Sequence, residues 1–470
     1  MTSRTPDPDF GTETQDQSRS GLESQAATSN SLRDGEPNRL FGIWRIPFYY
    51  GWIIVVAVFI AEFMTSGVGT FVTPLFFKAI TDEMGWSLTL LTGALTAQTL
   101  ANASIAPILG RVLDRFGARP VMLFGAIVAG IGLLLLTQIQ EIWHFWLLYA
   151  TVGALGLHEM GSFTGPVLIT KWFVRLRGRA MALATLGTTV GGMVMAPIVG
   201  FLVSTAGWRE TWRMMGIAVL VIMIPLILLF VRRQPEDMGL QPDGDKENNG
   251  QRSGAQRKAP NRYAGTEVSW TTKEAMRTKT LWLLVVGMNL VSVSANVTVI
   301  HLVPFLTLQE GVSAQAAAFI VTLRLGGSSV SRIMWGWAVD HFPMNVCLAI
   351  GFFARGLSPI MLILLPFPWN VAALVVVSIP GGGFQVLQPM AFANYFGRAN
   401  AGTIQGSVRP FLTISTLAGP LFIAFLYDST GSFDIAFLVT GAVGLVSTIL
   451  ALMAKPPKRK DIPSPAPTVT

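Results

Sequence analysis

Residues 322–343 read TLRLGGSSVSRIMWGWAVDHFP. The stretch has the makeup of a membrane helix running into a tight loop, yet it carries two arginines, Arg324 and Arg332. An arginine at bilayer depth costs roughly 2.5–3.5 kcal/mol on insertion scales, so each marks a candidate functional site. By helix geometry their faces lie about 80° apart. Arg324 sits nearer the bilayer middle, and Arg332 shares a face with Ser328, one turn away.

The composition fits a membrane setting. Of 470 residues, 51% are hydrophobic and only 13% charged, with a mean hydropathy of +0.52. Soluble domains carry about 25% charged residues, so this chain has too few to cover a water-facing surface. One cysteine, Cys347, excludes a disulfide framework and a cysteine-based zinc cluster.

A span needs about 20 mostly apolar residues, and twelve runs qualify. They are 51–77, 88–109, 119–138, 143–170, 179–204, 212–231, 281–307, 314–337, 345–365, 370–394, 402–426 and 433–453. Residues 1–45, rich in Ser, Thr, Gln and Asp, read as a disordered tail and not as a signal peptide. The organisation expected is that tail, a first bundle at 46–231, a polar linker at 232–279, a second bundle at 280–454 and a tail at 455–470.

Alternate loops divide by charge. One set holds Arg111, Arg115, Arg119, Lys171, Arg175, Arg177, Arg179 and Arg398, with further cations in the linker and tail; the other holds Asp82, Glu83, Glu141, Glu310, Asp428 and Asp434. Arg209 and Arg213 are the exceptions. The pattern places both termini in the cytoplasm and assigns the net charge of +8 to topology instead of nucleic-acid binding.

The halves repeat. GRVLDRFG begins at Gly110 and GWAVDHFP at Gly336, 226 residues on, while Pro166/Pro389, Phe173/Phe396 and Pro197/Pro420 recur 223 apart. Two like-oriented six-helix bundles, related by an axis along the membrane normal, describe a transporter that rocks about a midplane site. Gly110 and Gly336 permit close helix approach. Asp114 and Asp340 can cap or pair with cationic groups on a neighbouring helix and so latch one side. Pro197, in GGMVMAPIVG, and Pro420 read as hinges.

The two Gly-x-x-x-Asp loops and GGMVMAPIVG resemble the major facilitator superfamily over about 51–455. GRVLDRFGARP, with Arg115, is close to the family signature; in the second copy His341 and Pro343 replace the usual Arg and Gly. FYYGWIIV, EMGWS, GWRETWR and YFGRANAGTIQG further resemble the monocarboxylate and oxalate/formate porter branch. The resemblance implies an all-α fold of twelve helices and alternating access. It also implies an eighth-helix arginine that holds a carboxylate at the spacing of Arg332, with Ser328 where an Asp or Asn is common. The oxalate transporter pairs that arginine with an eleventh-helix lysine, and Arg409 stands in the corresponding helix here. The lysine that animal monocarboxylate carriers place in the first helix has no counterpart at Gly69-Thr70-Phe71.

The candidate substrate residues are therefore Arg332, Ser328, Arg409 and Arg324. Arg332 and Arg409 read alternatively as arginines snorkelling to headgroups or pairing within the gate. Glu62, His158 and Glu159 are the candidate proton carriers, though Glu62 or Glu159 can equally balance Arg324 or Arg409. Neighbours on a helix point about 100° apart, so one of His158 and Glu159 faces the cavity directly. His301, Asn296, Gln385 and Gln388 are further polar candidates, and PGGGFQVLQP (380–389) reads as a bend in the tenth span. Arg355 in the ninth span has no evident role.

The expected function is secondary transport of a small organic anion, a mono- or short dicarboxylate, with protons as a candidate co-substrate. No cofactor, metal or nucleic acid is implied, and a monomer in a plasma or bacterial inner membrane is expected. Alternatives are an exporter of drugs or of neutral or amphipathic solutes and, more remotely, a receptor or membrane enzyme. The chain lacks an Asp-rich magnesium motif, a His/Cys cluster and a nucleotide loop.

Overall fold

The computed structural model describes residues 39–40, 44–45, 48–244, 269–430 and 432–458. Most of the expected amino-terminal tail, the centre of the linker and the last part of the carboxy-terminal tail lie outside these residues. The chain forms two units, Met1–Tyr50 and Gly51–Thr470. Of the first, Arg39–Leu40 and Trp44–Arg45 form a two-residue antiparallel ladder.

The second unit holds twelve spans. Span 1 runs through Gly51–Thr65, a π turn at Ser66–Thr70 and Thr73–Met84; spans 2 and 3 are Leu88–Phe116 and Ala118–Leu136. Span 4 is assembled from Ile142–Thr151, Val152–Leu157, His158–Met160 and Thr164–Trp172. Spans 5 and 6 are two helices within Arg177–Phe230, separated by a kink at Gly207 (φ 82°, ψ 164°), a conformation that glycine tolerates and side chains do not. Span 7 is Lys279–Pro304 with a π turn at Phe305–Gln309, and spans 8 and 9 are Ala314–His341 and Met344–Leu364. Span 10 is broken between Trp369–Gly381 and Phe384–Phe396; spans 11 and 12 are Ala401–Thr430 and Phe433–Met453.

One expectation changes. GRVLDRF and GWAVDH are the last turns of spans 2 and 8, not loops, because no residue in them stops a helix before Gly117 or Phe342. The linker is held at both ends. Asp243 accepts hydrogen bonds from the amides of Val174 (2.9 Å), Arg175 (2.6 Å) and Leu176 (3.0 Å), filling the turn ahead of span 5. Trp270 is buried, its amide bonded to the Phe396 carbonyl at 3.0 Å, and Thr271 and Glu274 form a capping box on a short helix, Thr272–Met276.

Within the first half, span 1 packs on span 5 and span 3 on span 6; within the second, spans 7, 9 and 12 pack together and span 10 lies between 8 and 9. Phe305, Phe433 and Phe437 centre one buried apolar cluster. Large apolar residues such as Met193, Phe201 and Trp369 face outward, as lipid requires and water does not. Span 2 meets span 11 and span 5 meets span 8 across the halves. By length and apolarity alone, among the described residues, six helices qualify to cross a membrane, the Arg177–Phe230 element counting once, and a bent pair in span 7 makes seven. Spans 2, 4, 8 and 11 fall short, and all four bring polar or charged groups to the interior. Their charge and broken backbone are tolerable where they line a cavity.

Candidate functional site

At two places the halves meet backbone to backbone. A Cβ on Gly110 would run into the Gly402 carbonyl, and one on Gly178 into the Gly336 carbonyl. Such approach leaves room for each carboxylate to reach the first turn of the opposite helix. Asp114 accepts from the amide of Thr403 (2.6 Å), its hydroxyl (2.7 Å) and the Gly402 amide (3.2 Å), with the Lys171 ammonium 3.4 Å away. Asp340 accepts from the Gly178 amide at 2.9 Å, with Arg179 at 3.9 Å. A carboxylate at a helix amino terminus meets unpaired amides and the positive end of the dipole. His341 and Pro343 therefore leave the second carboxylate engaged. Arg115 lies over the Phe116 ring (5.4 Å), apart from either carboxylate's hydrogen bonds. Pro197 is exposed on an unbroken stretch of span 5, and Pro420 lies within span 11.

Above this closed end lies a cavity of about 290 Å³. Spans 1, 4 and 5 contribute Glu62, His158, Ser162, Phe163, Pro166, Thr185 and Thr188; spans 10 and 11 contribute Phe384, Gln385, Gln388, Pro389, Phe392, Gln405 and Arg409. One half brings a carboxylate and the other a guanidinium.

Glu62 is buried, and its Oε2 accepts from Thr188 (3.0 Å) and Ser162 (3.1 Å). The Arg332 charge acts on it. Arg332 itself is 8% exposed and does not line the cavity; its Nη1 donates to the Thr185 carbonyl at 2.7 Å and its Nε has no partner. Arg332 thus bridges span 8 to span 5 just behind the wall.

Arg409 lines the cavity, and among the described residues its guanidinium has no side-chain hydrogen bond and no ion pair within 4 Å. Glu159, buried and outside the lining, acts on it through charge alone. His158 is the neighbour that faces the cavity, and its Nε2 is also without a partner, as are Glu159 Oε2 and Gln405 Nε2. His158 Nε2 and Gln405 Nε2, unpaired on residues of the cavity wall, fit a polar guest.

Ser328 bonds back to the Arg324 carbonyl (3.1 Å) and packs under Gly382, away from the cavity lining. Arg324 also stands outside the lining, near a like charge, Arg355. Arg355 has a definite place. Its Nε donates to the Gly381 carbonyl (2.6 Å) and its guanidinium lies over the Phe384 ring (4.7 Å). With Trp335, whose Nε1 donates to the Pro380 carbonyl (2.8 Å), it satisfies backbone freed at the break in span 10. His301 and Asn296 do not line the cavity; Gln385 and Gln388 do. Residues the sequence left unmarked are Ser162, Thr188 and Gln405, ordinary polar positions on a helix face, and Thr403, embedded in the quoted YFGRANAGTIQG.

Twelve spans in two bundles with a polar cavity between the halves define a multi-pass membrane transporter. The sequence profile of the Major Facilitator Superfamily matches residues 54–415 and 302–469, and the chain belongs to that family. Human monocarboxylate transporter 11 is 24% identical over 428 residues, covering 85% of this chain and 82% of the relative. Rat monocarboxylate transporter 12 is 24% identical over 88% of each chain. Among solved structures, the human organic anion transporter MFSD10 (TETRAN) superposes with a TM-score of 0.65 at 15% identity, covering 87% of this chain and all of that one. The E. coli fucose:proton symporter FucP gives 0.64 at 13% identity, covering 86% and 98%. The chain is a transporter, not an enzyme, of the monocarboxylate-transporter-like kind.

Proposed function

We propose that the chain moves small organic anions, mono- or short dicarboxylates, by alternating access, with Arg409 receiving the carboxylate. The observation that carries this reading is the unpaired Arg409 guanidinium on the cavity wall. A planar fork of donors matches a carboxylate in two parallel hydrogen bonds. Gln385, Gln388 and Gln405 offer neutral donors and acceptors for the rest of the substrate, and Phe163, Phe384 and Phe392 close around it.

Glu62 and Arg332 supply the coupling. With Glu62 ionised the two charges offset each other; a proton on Glu62 leaves Arg332 uncompensated and raises the cavity's pull on an anion. Anion and proton then enter together without a net change of buried charge. The Asp114 and Asp340 contacts hold the cytoplasmic side shut, following the positive-inside assignment, and the protein functions as a monomer.

Uptake of labelled lactate, pyruvate and malonate into proteoliposomes tests the reading. Arg409→Ala should weaken apparent affinity by about 10- to 100-fold, the worth of hydrogen bonds to a charged group. Unchanged affinity in that variant would overturn it.

A further inference from the structure

A second hollow, about 480 Å³, lies where span 7 begins and span 12 ends. Its wall is apolar, made by Trp282, Leu283, Val286, Leu450 and Met453, and Arg277 and Lys279 stand at its rim. Both cations are exposed, and among the described residues neither has an ion pair or a side-chain hydrogen bond. Lys455 is close by, since the Thr280 hydroxyl donates to its carbonyl at 2.9 Å. No acid lines the hollow.

We propose that this hollow is a binding site for one anionic phospholipid. Three features combine. Unpaired cations sit at the end of the spans, where headgroups lie, and an apolar wall runs from them along Val286 and Leu450 toward the bilayer interior. Span 7 also opens toward the rim with its first amides. The Thr278 hydroxyl accepts one of these, from Leu281 at 3.3 Å, and the amides left over at a helix start favour an anion. A phosphate beside the two cations and the helix start, with its acyl chain against the apolar groove, matches both the charge of the rim and the apolarity of the wall; basic pockets between helices bind lipid headgroups on this principle. A zwitterionic lipid brings an ammonium into the same cationic rim and is disfavoured.

The site also touches the transport machinery. Trp282 forms one side of the groove, and its ring meets Phe411 edge-on at 5.1 Å. Phe411 is two residues from Arg409 on span 11. A chain seated against Trp282 therefore steadies the helix that carries Arg409. The binding claim stands whether or not a carboxylate is the substrate.

The test is native mass spectrometry of the full chain released from nanodiscs of equal phosphatidylglycerol and phosphatidylcholine. One phosphatidylglycerol should survive delipidation in preference to phosphatidylcholine. Lys279→Gln should reduce that preference about fivefold, and Arg277→Gln with Lys279→Gln about 25-fold, since each cation near a lipid surface contributes about a fivefold factor. Val286→Asp, which leaves the rim intact and puts a charge in the acyl groove, should also release the lipid. Melting curves in detergent identify folded variants, and if the double variant does not fold the single Lys279→Gln carries the comparison. Equal retention of the two lipids, or undiminished phosphatidylglycerol in a folded rim variant, would overturn the site. So would displacement by glycerol phosphate at matched concentration, which would make the ligand a soluble phosphate.

Discussion

The Asp114 carboxylate accepts both the amide and the hydroxyl of Thr403, 2.6 and 2.7 Å away, although 289 residues separate them in sequence. The contact joins the end of span 2 to the start of span 11. Its counterpart, Asp340 on Gly178, joins span 8 to span 5. Each half thus lends a carboxylate to a helix terminus of the other.

Weakening that contact should open the closed end. Asp114→Asn keeps the shape but replaces charge-assisted hydrogen bonds with neutral ones, a difference of about 1 kcal/mol. A cysteine in place of Gln405, two residues beyond Thr403 on span 11, should then react with an impermeant maleimide about fivefold faster from the Asp114 side than in the parent. The native Cys347 is buried and adds little background. Equal rates would show that the carboxylate is not a latch.

Glu62→Gln removes a titrating group while preserving a partner for Ser162 and Thr188. Substrate-driven acidification of the lumen should disappear, while exchange of internal for external anion should persist. If acidification survives, the proton travels elsewhere, with His158 the next group to replace.

Much of this was legible in the sequence. The twelve runs and the Gly-x-x-x-Asp repeat were plain because hydrophobic length and a glycine-aspartate spacing are local patterns. Which arginine faces the cavity was not. Arg332 and Arg409 carry the same charge at similar depth, and their roles separate only through the Thr185 carbonyl, which a helix 147 residues away presents to Arg332. Arg355 was opaque for the same reason. Its partner is the backbone of a broken helix, and no sequence spacing reports where a carbonyl has been freed.

Arg355→Gln should slow the transport cycle without abolishing binding. Glutamine cannot span to Gly381 O and cover Phe384 together, so the break in span 10 loses a fixed geometry. Turnover should fall several-fold, with half-saturation changed less than twofold. A larger change in half-saturation than in turnover would place Arg355 in the binding site instead.

The Glu62–Arg332 relation gives the sharpest test, because it predicts a recovery. Glu62 and Arg332 are buried opposite charges that act on one another without a direct ion pair, so removing one leaves the other less compensated, at a cost below the ~3 kcal/mol of a broken contact pair. Arg332→Gln alone should lower thermal stability in detergent markedly, and Glu62→Gln alone should lower it less, since an arginine retains its hydrogen bond to the Thr185 carbonyl. With both changes neither of these two buried charges is left without the other, so the double variant should be more stable than Arg332→Gln alone. The coupling energy from the four melting curves measures their interaction directly. Proton coupling should stay lost in the double variant even as stability returns. Strict additivity of the two single effects would mean that Arg332 serves only to tie span 8 to span 5, and that Glu62 is held by Ser162 and Thr188 alone.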